Sequence, residues 1–163
     1  MFQIGDHIVY PMHGAGVIAA IEEKEIQGII KQYYVIKMPN EMQVMIPVDK
    51  MINSNIRSIV DNMALEEVFG VFQQEELDPS LTWKQRYTSN MEKVKSGSML
   101  EGAEVVRDLT IRNAEKKLNS SERQMLTNAK KLLISELGLV KGISETQASD
   151  LLDERMFLGA KSS

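Results

Sequence analysis

The chain has 163 residues, 43% of them hydrophobic, a formal net charge of −4 and no cysteine. That length can bury one good core or two small ones. The missing thiols exclude disulfides, thiolate metal sites and cysteine nucleophiles, and make a reducing cytoplasm the expected setting. No long apolar run and no basic leader opens the sequence, so neither a membrane span nor a signal peptide is expected.

Residues 1–52 read as β structure. Ile8-Val9-Tyr10 leads into Pro11, and Met12-His13-Gly14-Ala15-Gly16 supplies turn residues before a second strand over Val17 to Ile21. The two glycines suit a reversal that needs positive φ. Gln27-Gly28 marks another turn. Lys31 to Met38 is a β-branched and aromatic run, and Pro39-Asn40-Glu41 turns it into Met42 to Val48. Short strands at this spacing predict a small antiparallel barrel of the SH3 or Tudor type, with Pro47 at an edge or a strand end.

After Asn53 the period changes to that of helices. Leu65, Val68, Phe69 and Phe72 mark a short amphipathic helix, and Asp78-Pro79 a turn. A second helix over 82–96 takes Thr82 or Ser80 as N-cap and Gly97 as its stop. Ala103, Val106 and Leu109 define a third. Asn119 and Glu122 are spaced as a capping-box variant before Met125, Ala129, Leu132, Leu133 and Leu137, with Gly138 as the predicted end. Ser144 and Gln147 open a last helix carrying Ala148, Leu151, Leu152 and Met156. The expected fold class is therefore α+β: a barrel over 1–57, a compact all-α part of about five helices over 58–157, and a disordered tail over 158–163.

Charge is uneven along this plan. Residues 80–135 hold eleven Lys/Arg against six Asp/Glu, a local +5, whereas residues 61–79 hold six acids and no base. Two solvated faces of opposite sign would account for this, and contact with a polyanion is favoured modestly. The sole tryptophan, Trp83, opens the basic stretch and shares a helical face with Tyr87, Met91 and Val94. At the end of that stripe it either completes a core or projects as an apolar probe beside positive charge. The residues alone leave both open.

Signals for catalysis are few. The only histidines, His7 and His13, fall in the first hairpin. Asp6 and His7 are adjacent on a strand and so point to opposite faces, which makes them poor joint ligands. No nucleotide-binding, zinc-protease or serine-hydrolase motif occurs. Neither an enzyme, a metal nor a cofactor is expected.

Two sets of residues carry a resemblance. Ile4-Gly5-Asp6-His7-Ile8-Val9-Tyr10-Pro11, with His13-Gly14 and Gly16-Val17-Ile18, resembles the opening of the CarD/CdnL family of bacterial transcription regulators. Trp83, Arg86-Tyr87, Asn90, Lys93, Val105-Val106-Arg107-Asp108-Leu109, and Glu122 through Met125-Leu126 match that family's helical part. The opening motif alone is shared with transcription-repair coupling factors; the combination of both halves is the specific signal. The resemblance implies a Tudor-like barrel that binds the β subunit of RNA polymerase by pairing sheet edge to sheet edge, and a helical part that contacts promoter DNA without reading its sequence.

By position, Lys24 matches a basic polymerase contact, and Met45 stands where some relatives carry arginine. Trp83 matches a wedge residue at the upstream edge of the promoter bubble. Arg86 and Arg123 match DNA contacts, Lys84 is a neighbour able to help, and Thr88 stands where some relatives have lysine. The implied function is non-enzymatic stabilisation of the open complex by a monomeric, cytoplasmic protein. The alternatives are a ribosome- or RNA-associated SH3-like protein and a protein-only adaptor.

Overall fold

A computed structural model describes residues 2–51, 53–74 and 80–161, with backbone alone for Asn40 and 158–161. The fold is α+β, as the sequence predicts. Strands β1 (His7–Tyr10), β2 (Gly14–Ile26), β3 (Ile29–Lys37) and β4 (Gln43–Pro47) follow one another, and a short helix α1 (Val48–Met51) precedes β5 (Arg57–Ser58). They form one antiparallel sheet in the order β4-β3-β2-β1-β5. Its core is Ile8, Ile18, Tyr34, Ile36, Met38, Ile46, Met51 and Ile56. A register shift between Ile18 and Ala20 bends β2 against β3, the device by which a small sheet curls around a core.

The first reversal differs from the expected one. Strand β2 already begins at Gly14, and the turn is made by Pro11-Met12-His13, with Met12 at φ 71°. Gly16 serves proximity instead of a turn: a Cβ there would sit 2.7 Å from the Lys37 carbonyl oxygen and 2.7 Å from Met38 Sδ. Gln27 (φ 54°) and Gly28 (φ 79°) make the tight turn between β2 and β3, the pair of positive φ values that a two-residue hairpin requires.

Helices α2 (Asn62–Gly70), α3 (Trp83–Ser96), α4 (Met99–Glu115), α5 (Ser120–Lys141) and α6 (Glu145–Lys161) follow. They bury a second core that includes Leu65, Val106, Leu109, Leu133, Leu137 and Leu152. Each is capped as its sequence dictates: Asp61 accepts from Ala64 N–H, Thr82 and Gln85 form a reciprocal capping box, and Ser98 accepts from Glu101 N–H. Asn119 accepts from Glu122 N–H, and Ser144 and Gln147 bond reciprocally. The acidic stretch belongs to the helical core through α2, while residues 75–79, with the expected Asp78-Pro79 turn, lie outside the described residues.

Three boundaries depart from expectation. Helix α5 passes through Gly138 and ends at Gly142, which takes the left-handed conformation (φ 66°). Gly138 is small because α5 and the chain beyond it approach there: a Cβ would lie 3.2 Å from the Ile143 carbonyl oxygen. Helix α6 is helical through Lys161, so the tail does not begin at 158. No proline interrupts that stretch, and a lone glycine costs only about 1 kcal/mol. Residues 162–163 lie outside the described residues. Finally, β5 straddles the expected division at 57/58 and pairs with β1, Val9 opposite Arg57 and Ile8 opposite Ser58.

A candidate nucleic-acid interface and a free sheet edge

Helix α3 holds its apolar stripe against the core only in part. Val94 is buried, and Tyr87 and Met91 pack against the helical core from its margin. The first turn runs off that surface, and Trp83 is left 41% exposed. Its ring stacks on Tyr87 with centroids 5.6 Å apart and planes inclined by 19°. Trp83 is therefore not a core residue. It is a rigid indole, fixed by a helix cap below and an aromatic neighbour beside it, with one part open to solvent.

Arg86 lies one turn further along and is turned inward. Its Nε donates to Glu122 at 3.1 Å and its Nη2 at 3.3 Å. The two side chains are 16% and 4% exposed, so this is a shielded ion pair. Glu122 is held in turn by Asn119, whose Nδ2 donates to it at 3.4 Å while its Oδ1 caps α5. The pair thus fastens the first turn of α3 to the first turn of α5. Lys84 and Arg123 are exposed, and neither forms an ion pair among the described residues.

Beside the indole runs a groove of about 520 Å³. Trp83 and Arg86 line it from α3, Arg112 and Glu115 from α4, Lys116 and Lys117 from the α4–α5 connection, and Glu122 from α5. The predicted residues Trp83 and Arg86 are thus brought together, while Lys84 and Arg123 do not line the groove. Arg112, Lys116 and Lys117 were not singled out by sequence reasoning. The available signal was their clustering: Arg112, Lys116 and Lys117 fall within six residues at the end of α4.

The sheet offers a different kind of surface. Strand register sets Ala20 opposite Val35 and Val35 opposite Met45, while Lys24 faces Lys31. Lys24 and Met45 therefore share the face of the sheet opposite Tyr34, Ile36 and Ile46. Met45 is half-buried and takes no part in the barrel core, where its neighbours Val44 and Ile46 pack. Strand β4 is last in the sheet, so its outer edge is unpaired among the described residues. Beyond the part covered by β1 and β4, the β2–β3 hairpin projects with Ile26, Ile29 and Ile30 exposed.

Sheet and helices are bound together by a polar junction that the sequence reading did not find. Arg57 of β5 donates to Glu136 of α5 through Nη1 (2.8 Å) and Nη2 (2.7 Å), and through Nε (3.0 Å) and Nη2 (2.8 Å) to the Gly97 carbonyl at the end of α3. Glu136, 3% exposed, also accepts from Val60 N–H at 2.9 Å. Ser135 Oγ accepts from Ala15 N–H at 2.9 Å, tying β2 to the same helix. Gly97 lies close to Pro11, 2.8 Å from its Cγ to where a Cβ would stand, at φ 78°.

The first hairpin shows no sign of a ligand set. His13 packs on Tyr10 with ring centroids 4.4 Å apart, and Asp6 accepts from Gln3 N–H at 2.8 Å. Among the described residues no three His, Cys, Asp or Glu converge as a metal site would require. No described helix is long and apolar enough to cross a membrane.

With this geometry in view, comparison with known proteins is informative about both halves. Residues 2–60 match the CarD-like/TRCF RID domain family, and residues 67–153 match the family described as CarD, C-terminal domain. The chain is also 57% identical over 148 residues to a Bacillus subtilis (strain 168) protein named "Putative transcription factor YdeB", an alignment covering 90% of this chain and 97% of that one.

Proposed function

The chain belongs to the CarD family, and from that premise we propose that it is a non-enzymatic regulator which docks on RNA polymerase and steadies the melted promoter. In this reading the N-terminal sheet, which is of the Tudor-like RID type, pairs its free edge with the β subunit of the polymerase. The outer edge of β4 provides unpaired backbone groups for strand addition, and Lys24 and Met45 lie on one face beside it. The protein acts as a monomer in the cytoplasm.

The observation that carries the reading is Trp83. An exposed aromatic ring, fixed at a helix start beside a cationic groove, suits a wedge at the upstream edge of the bubble. There it stacks on an unpaired base and opposes reclosing. Base–aromatic stacking is worth roughly 1–3 kcal/mol. Open-complex lifetime is then extended by about tenfold to a hundredfold, since about 1.4 kcal/mol is tenfold in rate. Lys84 and Arg123 contribute sequence-independent phosphate contacts, which suits their exposure. The chain's net charge of −4 opposes DNA binding by the free protein, and tethering to polymerase raises the effective concentration enough for a weak contact to suffice.

The test is the lifetime of promoter open complexes formed by cognate polymerase with the wild type and with Trp83→Ala. The wild type prolongs it; the variant still binds polymerase and loses most of the effect. Equal action by both would remove Trp83 from the mechanism. Loss of polymerase binding by the wild type itself would remove the reading altogether.

A further inference from the structure

The groove beside Trp83 contains a cation that no described group answers. Arg112 is half-buried, and its Nε is shielded from solvent without a hydrogen-bond partner among the described residues. Buried N–H groups are almost always paired, because leaving one unpaired costs its full desolvation. Two carboxylates line the groove: Glu122 is already engaged by Arg86 and Asn119, and Glu115, exposed at the end of α4, forms no ion pair with Arg112. Lys116 and Lys117, both exposed, add positive charge to the same wall. Arg112 thus has no ion-pair partner among the described residues, and its guanidinium is left to an anion from outside the chain.

We infer that the groove seats a backbone phosphate of the DNA strand whose base meets Trp83, received by Arg112 and flanked by Lys116 and Lys117. Arg86 is then a positioning residue rather than the phosphate contact that family resemblance assigns to it. This rests on the reading of the helical part as a DNA-contacting unit. A guanidinium offers a planar fork of donors that fits phosphate oxygens in pairs. A nucleotide strand supplies both groups that this surface asks for, a flat base for the indole and an anion for the arginine one step away. An acidic peptide supplies only the second.

The experiment uses the full chain and a labelled fork-junction DNA, with affinity measured by anisotropy over a salt series starting at low ionic strength. Arg112→Gln weakens binding about tenfold, as loss of a charged hydrogen-bonding contact should. It also reduces the slope of log affinity against log salt by about 0.7–0.9, the share of one phosphate. Arg112→Lys keeps the slope and recovers part of the affinity. The melting temperature of Arg112→Gln does not fall, because no internal partner is lost.

Wild-type affinity and slope in Arg112→Gln, with binding lost in Trp83→Ala, overturn the inference and leave the DNA reading intact. No fork binding by the wild type at the lowest salt overturns both. Inorganic phosphate raising the melting temperature of the wild type but not of Arg112→Gln, with fork affinity unchanged by the substitution, reassigns the groove to a small anion and also overturns the inference.

Discussion

At the scale of single residues, two arginines of the helical part have exchanged the duties that their sequence context suggests. Arg86 stands in the basic stretch beside the tryptophan, yet it is folded onto Glu122, while Arg112 lies in the groove with an unanswered Nε. A shielded pair is a poor source of net stability, but removal of one partner leaves the other uncompensated. Glu122→Ala is accordingly expected to lower stability by about 3 kcal/mol. The double change Arg86→Met with Glu122→Leu should recover most of that. Urea midpoints measure both, and a single-variant loss below about 1 kcal/mol would show that the pair is too wet to matter. Part of this was legible. Glu122 falls on the helical stripe continued by Met125, Ala129 and Leu133, and an acid on an apolar stripe needs a partner. Which base supplies that partner depends on how α3 crosses α5, and no local pattern encodes it.

At the scale of elements, the sequence was most readable where a cap or turn has one physical solution. Thr82 (one of the two caps expected for its helix), Asn119 with Glu122 and Ser144 with Gln147 each start a helix where predicted, and Gln27-Gly28 closes the long hairpin. It was misread where a glycine serves proximity rather than conformation, as at Gly16 and Gly138. It was silent on β5, since two residues carry no period and their strand exists only by pairing with β1. Gly97 does both jobs and allows them to be separated. Gly97→Ala meets a left-handed backbone and the Pro11 ring, and should cost about 2 kcal/mol. Gly142→Ala meets a similar backbone with nothing within 4 Å, and should cost about 1 kcal/mol. The difference between the two urea midpoints isolates the contact with Pro11. Equal losses would mean that the ring moves aside freely.

At the scale of the whole molecule, the junction of Arg57, Glu136, Gly97 and Ser135 ties the sheet to the helical core. If the proposed function holds, the free edge of β4 and the indole of Trp83 need a set separation, and this junction is what would supply it. Glu136→Ala leaves Arg57 without its carboxylate partner and Val60 N–H without its acceptor, and should lower stability by about 3 kcal/mol. More tellingly, it should leave polymerase binding near wild type while shortening open-complex lifetime toward the value without the protein. Polymerase pull-down and lifetime measured on one preparation distinguish loose aim from a lost dock. If the lifetime is unchanged, the two halves do not need a fixed angle.

The same junction imposes an order on synthesis. Its bonds join residues 40 to 120 positions apart, those to Glu136 and Ser135 at least 76 apart, and all the strands of the sheet are in hand once Ser58 has been made. Glu136 follows after a further stretch of chain that takes about 4–16 s at ordinary elongation rates. For that interval the nascent sheet can close on its own core while Val9 and Ala15 still await the helix that covers them. A newly made chain therefore acquires the open edge of β4 before the helices that carry Trp83 are fastened to the sheet.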